Sequence, residues 1–271
     1  MSTNNEKSPS EALKEQLFYK PKNATVTLDE AEIKAADEYC DGYKKFLNTA
    51  KTEREFVKAA IEMAEKKGFV PFDRNKKLKA GDKVYLNNRN KSLILAVIGS
   101  RHITDGVSIA AAHIDSPRLD LKPNPLYEDR NLAYFDTHYY GGIKKYQWTA
   151  MPLALHGVVA LKDGRTIDVC IGEDETDPVF CVTDLLPHLA SEQMKKSASE
   201  FIKGEDLNIL IGSRPFKDDK GSELVKLNIM KILYERYGIL ESDFLSAELV
   251  AVPAYPARDV GLDRSMIGGY G

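Results

Sequence analysis

The chain has 271 residues, a formal net charge of -3 at pH 7, and 43% hydrophobic and 29% charged residues. This composition is typical of a globular protein that can bury a sizeable core. A weakly acidic chain has no basic stripe to contact phosphates, so neither nucleic acid nor an anionic membrane surface is an expected partner.

Three cysteines, at positions 40, 170 and 181, are too widely separated for a disulfide framework or a thiolate metal site. The first residues, MSTNNEKSPSE, are polar and are expected to be loose. They contain no apolar leader, and no stretch of the chain approaches the roughly 18 apolar residues of a membrane helix. We therefore expect a cytoplasmic protein.

The N-terminal part of the sequence predicts two helices followed by strands. Helical spacing of apolar residues indicates an amphipathic helix over residues 28–50. A capping box at Thr52 and Glu55, with Gly68 as a terminator, predicts a second helix. Both helices are expected to have a purely structural role, with their apolar faces packed in the core. Three short apolar runs then predict consecutive strands of one sheet, at residues 83–86, 93–98 and 107–112.

The middle of the chain predicts an inserted, β-rich domain. Its expected elements are a hairpin over 153–161 and 166–171, strands at 179–182 and 207–211, and a helix over 223–237. A strand over 244–252 is interpreted as a return to the first framework. The predicted division is therefore an α/β framework over 1–117, an insertion over 118–240 and the returning framework over 241–271.

His113 and Asp115 are the first candidate functional residues. On a strand, residues two positions apart point to the same side, and this pair ends the third predicted strand. The carboxyl ends of strands are where α/β sheets carry their sites. A neutral imidazole is a common zinc ligand, and a nearby carboxylate can orient it. Spacing alone also fits a strand-end histidine capped by a local carboxylate.

Four distinctive segments follow one another along the chain: AAHIDSPRLDLKPNPLYE, YYGGIKKYQW, LPHLASEQ and ELVAVPAYPARDVGLDRSMIGGYG. Together they resemble the M18 aminopeptidase family, specifically its bacterial aminopeptidase 1 branch, over nearly the whole chain. The resemblance implies an α/β fold in which a β-rich domain interrupts an incomplete, metallopeptidase-type mixed sheet with flanking helices. It also implies a zinc-dependent aminopeptidase that releases N-terminal residues from peptides.

The resemblance carries over three site residues. It implies that His113 is a zinc ligand, that Asp115 is the catalytic carboxylate that supports the metal-bound imidazole, and that His188 contacts metal or substrate. The histidine of the family corresponds either to His188 or to the position one helical turn later, which is Glu192 here. Two zinc ions are expected in the complete enzyme, with cobalt or manganese as alternatives. Peptides and further copies of the chain, bound through the inserted domain, are the expected partners.

The resemblance also implies that further metal ligands and the general base follow Gly271. We therefore expect a partial metal site and negligible activity for this chain. The alternative function is a non-catalytic assembly module, in which the inserted domain forms oligomers. Three other histidines are predicted to lie outside the site: His102 in a polar loop, His138 in an aromatic strand, and His156 on the solvent side of its strand.

Overall fold

A computed structural model describes residues 8–218 and 220–271. The chain divides into two compact units, Met1–Tyr43 and Lys44–Gly271. Within the described part of the chain, no helix has the length and apolar character needed to cross a membrane.

The first unit is helical. Helix α1, Pro9–Leu17, begins with a capping box in which the Ser8 hydroxyl accepts from the Glu11 amide and the Glu11 carboxylate accepts from the Ser8 amide. The expectation of a loose start is therefore wrong for residues 8–11, which belong to this capped helix, and residues 1–7 of that prediction lie outside the described part. Helix α2, Glu30–Thr49, confirms the helix predicted over 28–50.

The second unit begins with helix α3, Glu53–Lys66, and a small sheet. The predicted capping box at Thr52 and Glu55 is present, and Gly68 follows the end of α3 with a φ of +85°, which suits a residue without a Cβ. Strands β1, β2 and β3 follow in that spatial order, with β1 parallel to β2 and β2 antiparallel to β3. Their bounds are Val70–Pro71, Lys83–Asn88 and Ser92–Val97. The strands predicted at 83–86 and 93–98 are confirmed.

The third predicted strand, over 107–112, is wrong. Residues 106–117 have no regular secondary structure, and Val107 and Ile109 are exposed. An apolar run becomes a strand only where a neighbouring strand satisfies its backbone hydrogen bonds. No described strand pairs with this run, so its backbone joins no ladder.

A seven-stranded antiparallel sheet dominates the second unit, in the order β7-β6-β10-β4-β5-β9-β8. The strand bounds are β4 Arg118–Asp129, β5 Leu132–Tyr140, β6 Leu153–Ala160, β7 Thr166–Ile171, β8 Cys181–Val182, β9 Ile209–Gly212 and β10 Ala247–Pro253. Helix α4, Leu224–Tyr237, ends at Gly238, as predicted. A final hairpin joins β11, Arg258–Val260, to β12, Met266–Gly268.

Strand β10 corrects the interpretation of residues 244–252. The sequence placed this segment with the first framework, but β10 lies between β6 and β4 in the seven-stranded sheet. Its residues from Leu249 to Pro253 are all buried, as expected for a central strand covered on both faces. Chain order alone could not show this position, because strand partners are chosen in space. The domain boundaries at residues 118 and 240 stay a prediction.

The main hydrophobic core lies in the second unit and joins the seven-stranded sheet to α4. The fully buried strand residues Leu119, Leu153 and Ile209 belong to the same cluster as Val225 of α4. The ring of Phe244, which follows α4, also belongs to this cluster. This core fixes the position of the start of β4 relative to the end of β5, where Arg118 pairs with Tyr140. The candidate site lies beside that pair.

At Gly157 the backbones of β6 and β10 leave no room for a side chain. Its φ is +138°, and a Cβ there would lie 1.9 Å from the main-chain oxygen of Glu248. We expect Gly157→Ala to lower the free energy of unfolding by about 3 kcal/mol or more, because backbone strain and overlap add. Chemical denaturation measures the change.

Gly164→Ala is the matched control, since Gly164 also has a positive φ, of +87°, but an added Cβ there meets no atom within 4 Å. Strain alone should cost this variant about 1–2 kcal/mol. Equal losses in the two variants would contradict the close approach at Gly157.

Candidate metal-binding site

His113 lies in the irregular segment before β4, and its side chain is 84% exposed. Its Nδ1 is 2.9 Å from the main-chain oxygen of Asp115 and 3.4 Å from a carboxylate oxygen of the same residue. A carbonyl oxygen can only accept, so Nδ1 carries the proton and donates it. The lone pair of Nε2 is then free to bind a metal ion.

The Asp115 carboxylate is bound by the last residue of β5. The Tyr140 hydroxyl donates to Asp115 at 2.9 Å. This hydrogen bond lowers the pKa of the Asp115 carboxyl and raises the pKa of the Tyr140 hydroxyl. The strand register places the two residues together, because Tyr140 pairs with Arg118 at the start of β4. Asp115 is therefore an ionised acceptor with a fixed partner.

Arg118 joins this loop to helix α3. Its guanidinium lies 4.2 Å from the centre of the Tyr140 ring, donates to Glu53 at 2.7 Å and donates to Asp120 at 2.7 Å. These two carboxylates raise the pKa of Arg118 against the opposing effect of its burial. An aromatic face and two carboxylates together fix one orientation of the guanidinium.

The end of the chain also touches this loop. The Tyr270 hydroxyl donates to the main-chain oxygen of Pro117 at 2.9 Å, and burial raises the pKa of that hydroxyl. Neither Tyr270 nor Arg118 was singled out from the sequence, and Tyr140 was noted only as part of the YYGG motif. Hydrogen bonds over such sequence separations leave no local pattern that a motif search detects.

His188 lies in an exposed turn over residues 187–189, and Glu192 pairs instead with Lys195 at 2.5 Å. Across the described residues, neither His188 nor Glu192 makes a hydrogen bond or ion pair with His113 or Asp115. Of the three predicted site residues, His113 and Asp115 are therefore in contact, and His188 contacts neither of them.

The described residues contain no group of three or more His, Cys, Asp and Glu side chains that could hold a metal ion. A catalytic zinc ion usually has about three protein ligands. The donor atoms of His113 and Asp115 therefore do not make up a complete zinc site.

A buried ionic network lies elsewhere in the second unit, around His156. The prediction that His156 faces solvent is wrong, since the residue is only 2% exposed. Strand β6 lies between β7 and β10, and residues 153–156 are all buried. The alternation of buried and exposed positions, which assumes one solvent-facing side, does not hold in such a strand.

Both nitrogens of His156 contact carboxylates. Nδ1 lies 2.7 Å from Glu55, and Nε2 lies 2.9 Å from Glu173. Burial lowers the pKa of the imidazole, but the hydrogen bonds to Glu173 and Glu55 outweigh it and raise the pKa to about 9. For the Glu173 carboxyl the signs are reversed. Burial raises its pKa, but the hydrogen bonds from His156 and Lys51 outweigh burial, and the pKa is lowered. The imidazole is therefore charged at neutral pH.

Lys51 completes the network. Its side chain is 1% exposed and its ammonium donates to both oxygens of Glu173, at 2.7 and 2.9 Å. It also donates to the main-chain oxygen of Pro253 at 2.8 Å, at the end of β10. Cys170 is an exposed residue, but partial desolvation of its thiol and the nearby carboxylates raise the pKa of that thiol to about 11, so it is a poor nucleophile. The network fits a structural role.

Glu55 links this network to a feature that the sequence did predict. One of its carboxylate oxygens accepts from the Thr52 amide at 3.0 Å and completes the capping box of α3. The other oxygen contacts His156. A capping box identifies such a glutamate, but it does not show that the same carboxylate also binds a buried histidine.

Comparison with known proteins identifies the family. The family described as "Aminopeptidase I zinc metalloprotease (M18)" matches residues 46–271. The chain belongs to the M18 aminopeptidase family. The resemblance found in the four sequence segments is thereby confirmed, and its members are described as zinc metalloproteases.

Relatives match this M18 chain at high identity. "Probable M18 family aminopeptidase 1" of Clostridium acetobutylicum is 55% identical over 267 residues, which are 97% of this chain and 56% of the relative. The crystal structure of an M18 aminopeptidase from Thermotoga maritima is 43% identical with a TM-score of 0.86, over 92% of this chain and 54% of that one. Aminopeptidase I from C. acetobutylicum is 53% identical with a TM-score of 0.81, over 93% and 56%.

These structures confirm the mixed α/β fold class. The chain spans about half the length of the relatives it matches. A difference in length does not say how the protein of this sequence begins or ends. The expectation that the chain is an incomplete piece is therefore not borne out by the comparisons.

The charged state of His156 predicts how stability depends on pH. Its pKa is about 9 in the folded chain and 6.5 in the unfolded one. The stabilisation is fully present below about pH 6.5 and is lost as pH rises to about 9. The difference between these pKa values corresponds to about 3 kcal/mol. Denaturant unfolding between pH 6 and pH 10 should show this loss, and His156→Gln should remove it.

The pKa of His156 can also be measured directly in the native chain, so this second test does not depend on whether His156→Gln folds. NMR titration of the His156 ring in the folded chain should give a midpoint near pH 9. A His156 midpoint near 6.5 would show that the two carboxylates do not hold the charge.

Proposed function

We propose that this chain forms part of a zinc-dependent aminopeptidase that releases N-terminal residues from peptides in the cytoplasm. The observation that carries the proposal is the family match over residues 46–271, which includes His113 and Asp115. Three free cysteines are compatible with a reducing compartment. In this proposal the complete enzyme holds two zinc ions, and cobalt or manganese can replace them.

His113 supplies one metal ligand in this proposal. Its Nδ1 proton is held by the main-chain oxygen of Asp115, so Nε2 is the ligating atom. The Asp115 carboxylate, held by Tyr140, keeps a negative charge beside the imidazole and favours metal binding. His188 serves as a second contact, to metal or substrate, from its exposed turn. The arrangement of Glu53, Arg118 and Tyr140 fixes the loop that carries the ligand.

A homo-oligomer is the proposed assembly, with the segment predicted as the inserted domain at the interface. Leu185, Leu186 and Leu189 are 54%, 60% and 65% exposed within five residues of one another. Leucines gathered on one exposed turn favour contact with another protein surface. A second copy of the chain is the occupant proposed here.

Zinc binding tests the role of His113. The partial donor set predicts weak binding, so the informative measurement is equilibrium dialysis of zinc. We expect His113→Ala to reduce zinc affinity by about tenfold or more, because even residues behind a ligand typically contribute 10–100-fold. His102→Ala is the matched control, since His102 is exposed and lies outside the loop.

Turnover of aminoacyl-nitroanilides with added zinc tests the activity itself. Zinc-dependent hydrolysis that His113→Ala abolishes and His102→Ala retains would support the aminopeptidase. Unchanged zinc binding in His113→Ala would contradict the proposed ligand. Weak zinc binding without hydrolysis is the result expected of a partial donor set. The absence of both zinc binding and hydrolysis would favour the alternative function, a non-catalytic assembly module.

Light scattering tests the proposed assembly. We expect the native chain to exceed the mass of a monomer, and Leu186→Lys to lower the mass because a charge would be buried in the interface. Leu245→Lys is the matched control, since Leu245 is 66% exposed and lies outside residues 118–240. A strict monomer at high concentration would contradict the interface.

A further inference from the structure

A basic cleft lies on the second unit, away from both the His113 loop and the His156 network. Its volume is about 480 Å³. It is lined by Lys145, Lys196, Ser199, Glu200, Lys203 and Gly204. Lys145 begins the 3-10 turn that follows β5, whereas the other five residues come from a segment about fifty residues later. The lysines are therefore gathered by the fold and not by a run of basic sequence.

The charges of this cleft are not balanced. Over residues 8–218 and 220–271, the side chains of Lys145, Lys196 and Lys203 form no ion pair. Neighbouring lysines do: Lys195 pairs with Glu192 at 2.5 Å, and Lys122 pairs with Glu205 at 2.9 Å.

The three lining lysines and one lining glutamate leave a charge of +2 in a chain whose net charge is -3. Lys145 is also half-buried, which raises the cost of leaving its ammonium without a partner. Like charges around a concave surface repel one another and attract anions.

A hydroxyl donor accompanies the lysines. The Ser199 and Ser197 hydroxyl oxygens are 2.9 Å apart, and one hydrogen bond between them uses only one of their two protons. When Ser197 donates this bond, the Ser199 proton is available to a ligand in the cleft. Ammonium groups donate up to three hydrogen bonds each and bind phosphate as point charges. The volume of the cleft lies within the range of small-molecule sites.

We infer that this cleft binds a small dianionic oxyanion, with the chemistry of a phosphate group. The charge of +2 matches a dianion, and the three lysines and the serine supply donors. This site is independent of the proposed function, because neither zinc nor the His113 loop takes part in it.

Isothermal titration calorimetry with inorganic phosphate, at low ionic strength in a zwitterionic buffer, tests the inference. We expect a dissociation constant of about 1 mM or tighter. Lys196→Ala should weaken binding by about tenfold, because it removes a charge in direct contact with the anion. Lys195→Ala is the matched control, since Lys195 is the adjacent exposed lysine but is paired and does not line the cleft. Its affinity should equal that of the native chain.

Competing anions define the chemistry. Sulfate should displace phosphate, whereas acetate, a monoanion, should not, and raising the ionic strength to about 0.15 M should weaken binding. No binding at about 10 mM phosphate would overturn the inference. Equal losses in the two lysine variants, or displacement by acetate as effective as by sulfate, would also overturn it. Preferred binding of succinate would contradict the assignment to a phosphate-like group.

Discussion

The buried ion pairs of His156 are the interaction on which most of the second unit depends. The imidazolium in β6 lies between Glu55 of α3 and Glu173, and Lys51 extends the network to the end of β10. Each charge has an opposite partner within hydrogen-bond distance. Removing a carboxylate partner from a buried cation is typically far more costly than the net contribution of the intact pair. The network therefore specifies how α3 joins the sheet.

The same first turn of α3 also reaches the candidate metal-binding loop. Glu55 contacts His156, whereas Glu53, two residues earlier, binds Arg118. Arg118 lies against the ring of Tyr140, whose hydroxyl binds Asp115. One capped helix end thus supports a buried structural network and, through three side chains, the carboxylate beside the proposed ligand. A capped turn suits this task because its backbone is already fixed by its own hydrogen bonds.

Charge serves two different purposes in this M18 chain. In the network the two cations, His156 and Lys51, are buried and paired with carboxylates, so they specify packing. In the cleft around Lys145 and Lys196 the charges are unpaired and open to solvent. The His156 network and the cleft differ in whether their charges are paired, not in how many charged residues they contain. The small net charge of the chain predicts neither region.

The sequence by itself determined the local elements and the family. Helix α3 with its capping box, helix α4 with its terminal glycine and the hairpin of β6 and β7 follow from patterns within a few residues. The motifs also identified the loop of His113. Tertiary structure decided that His156 is buried, that β10 is central, that residues 107–112 join no sheet and that His188 does not contact His113. The reason is physical: caps and turns depend on neighbours in sequence, whereas burial, strand pairing and the convergence of side chains depend on which distant segments the fold brings together.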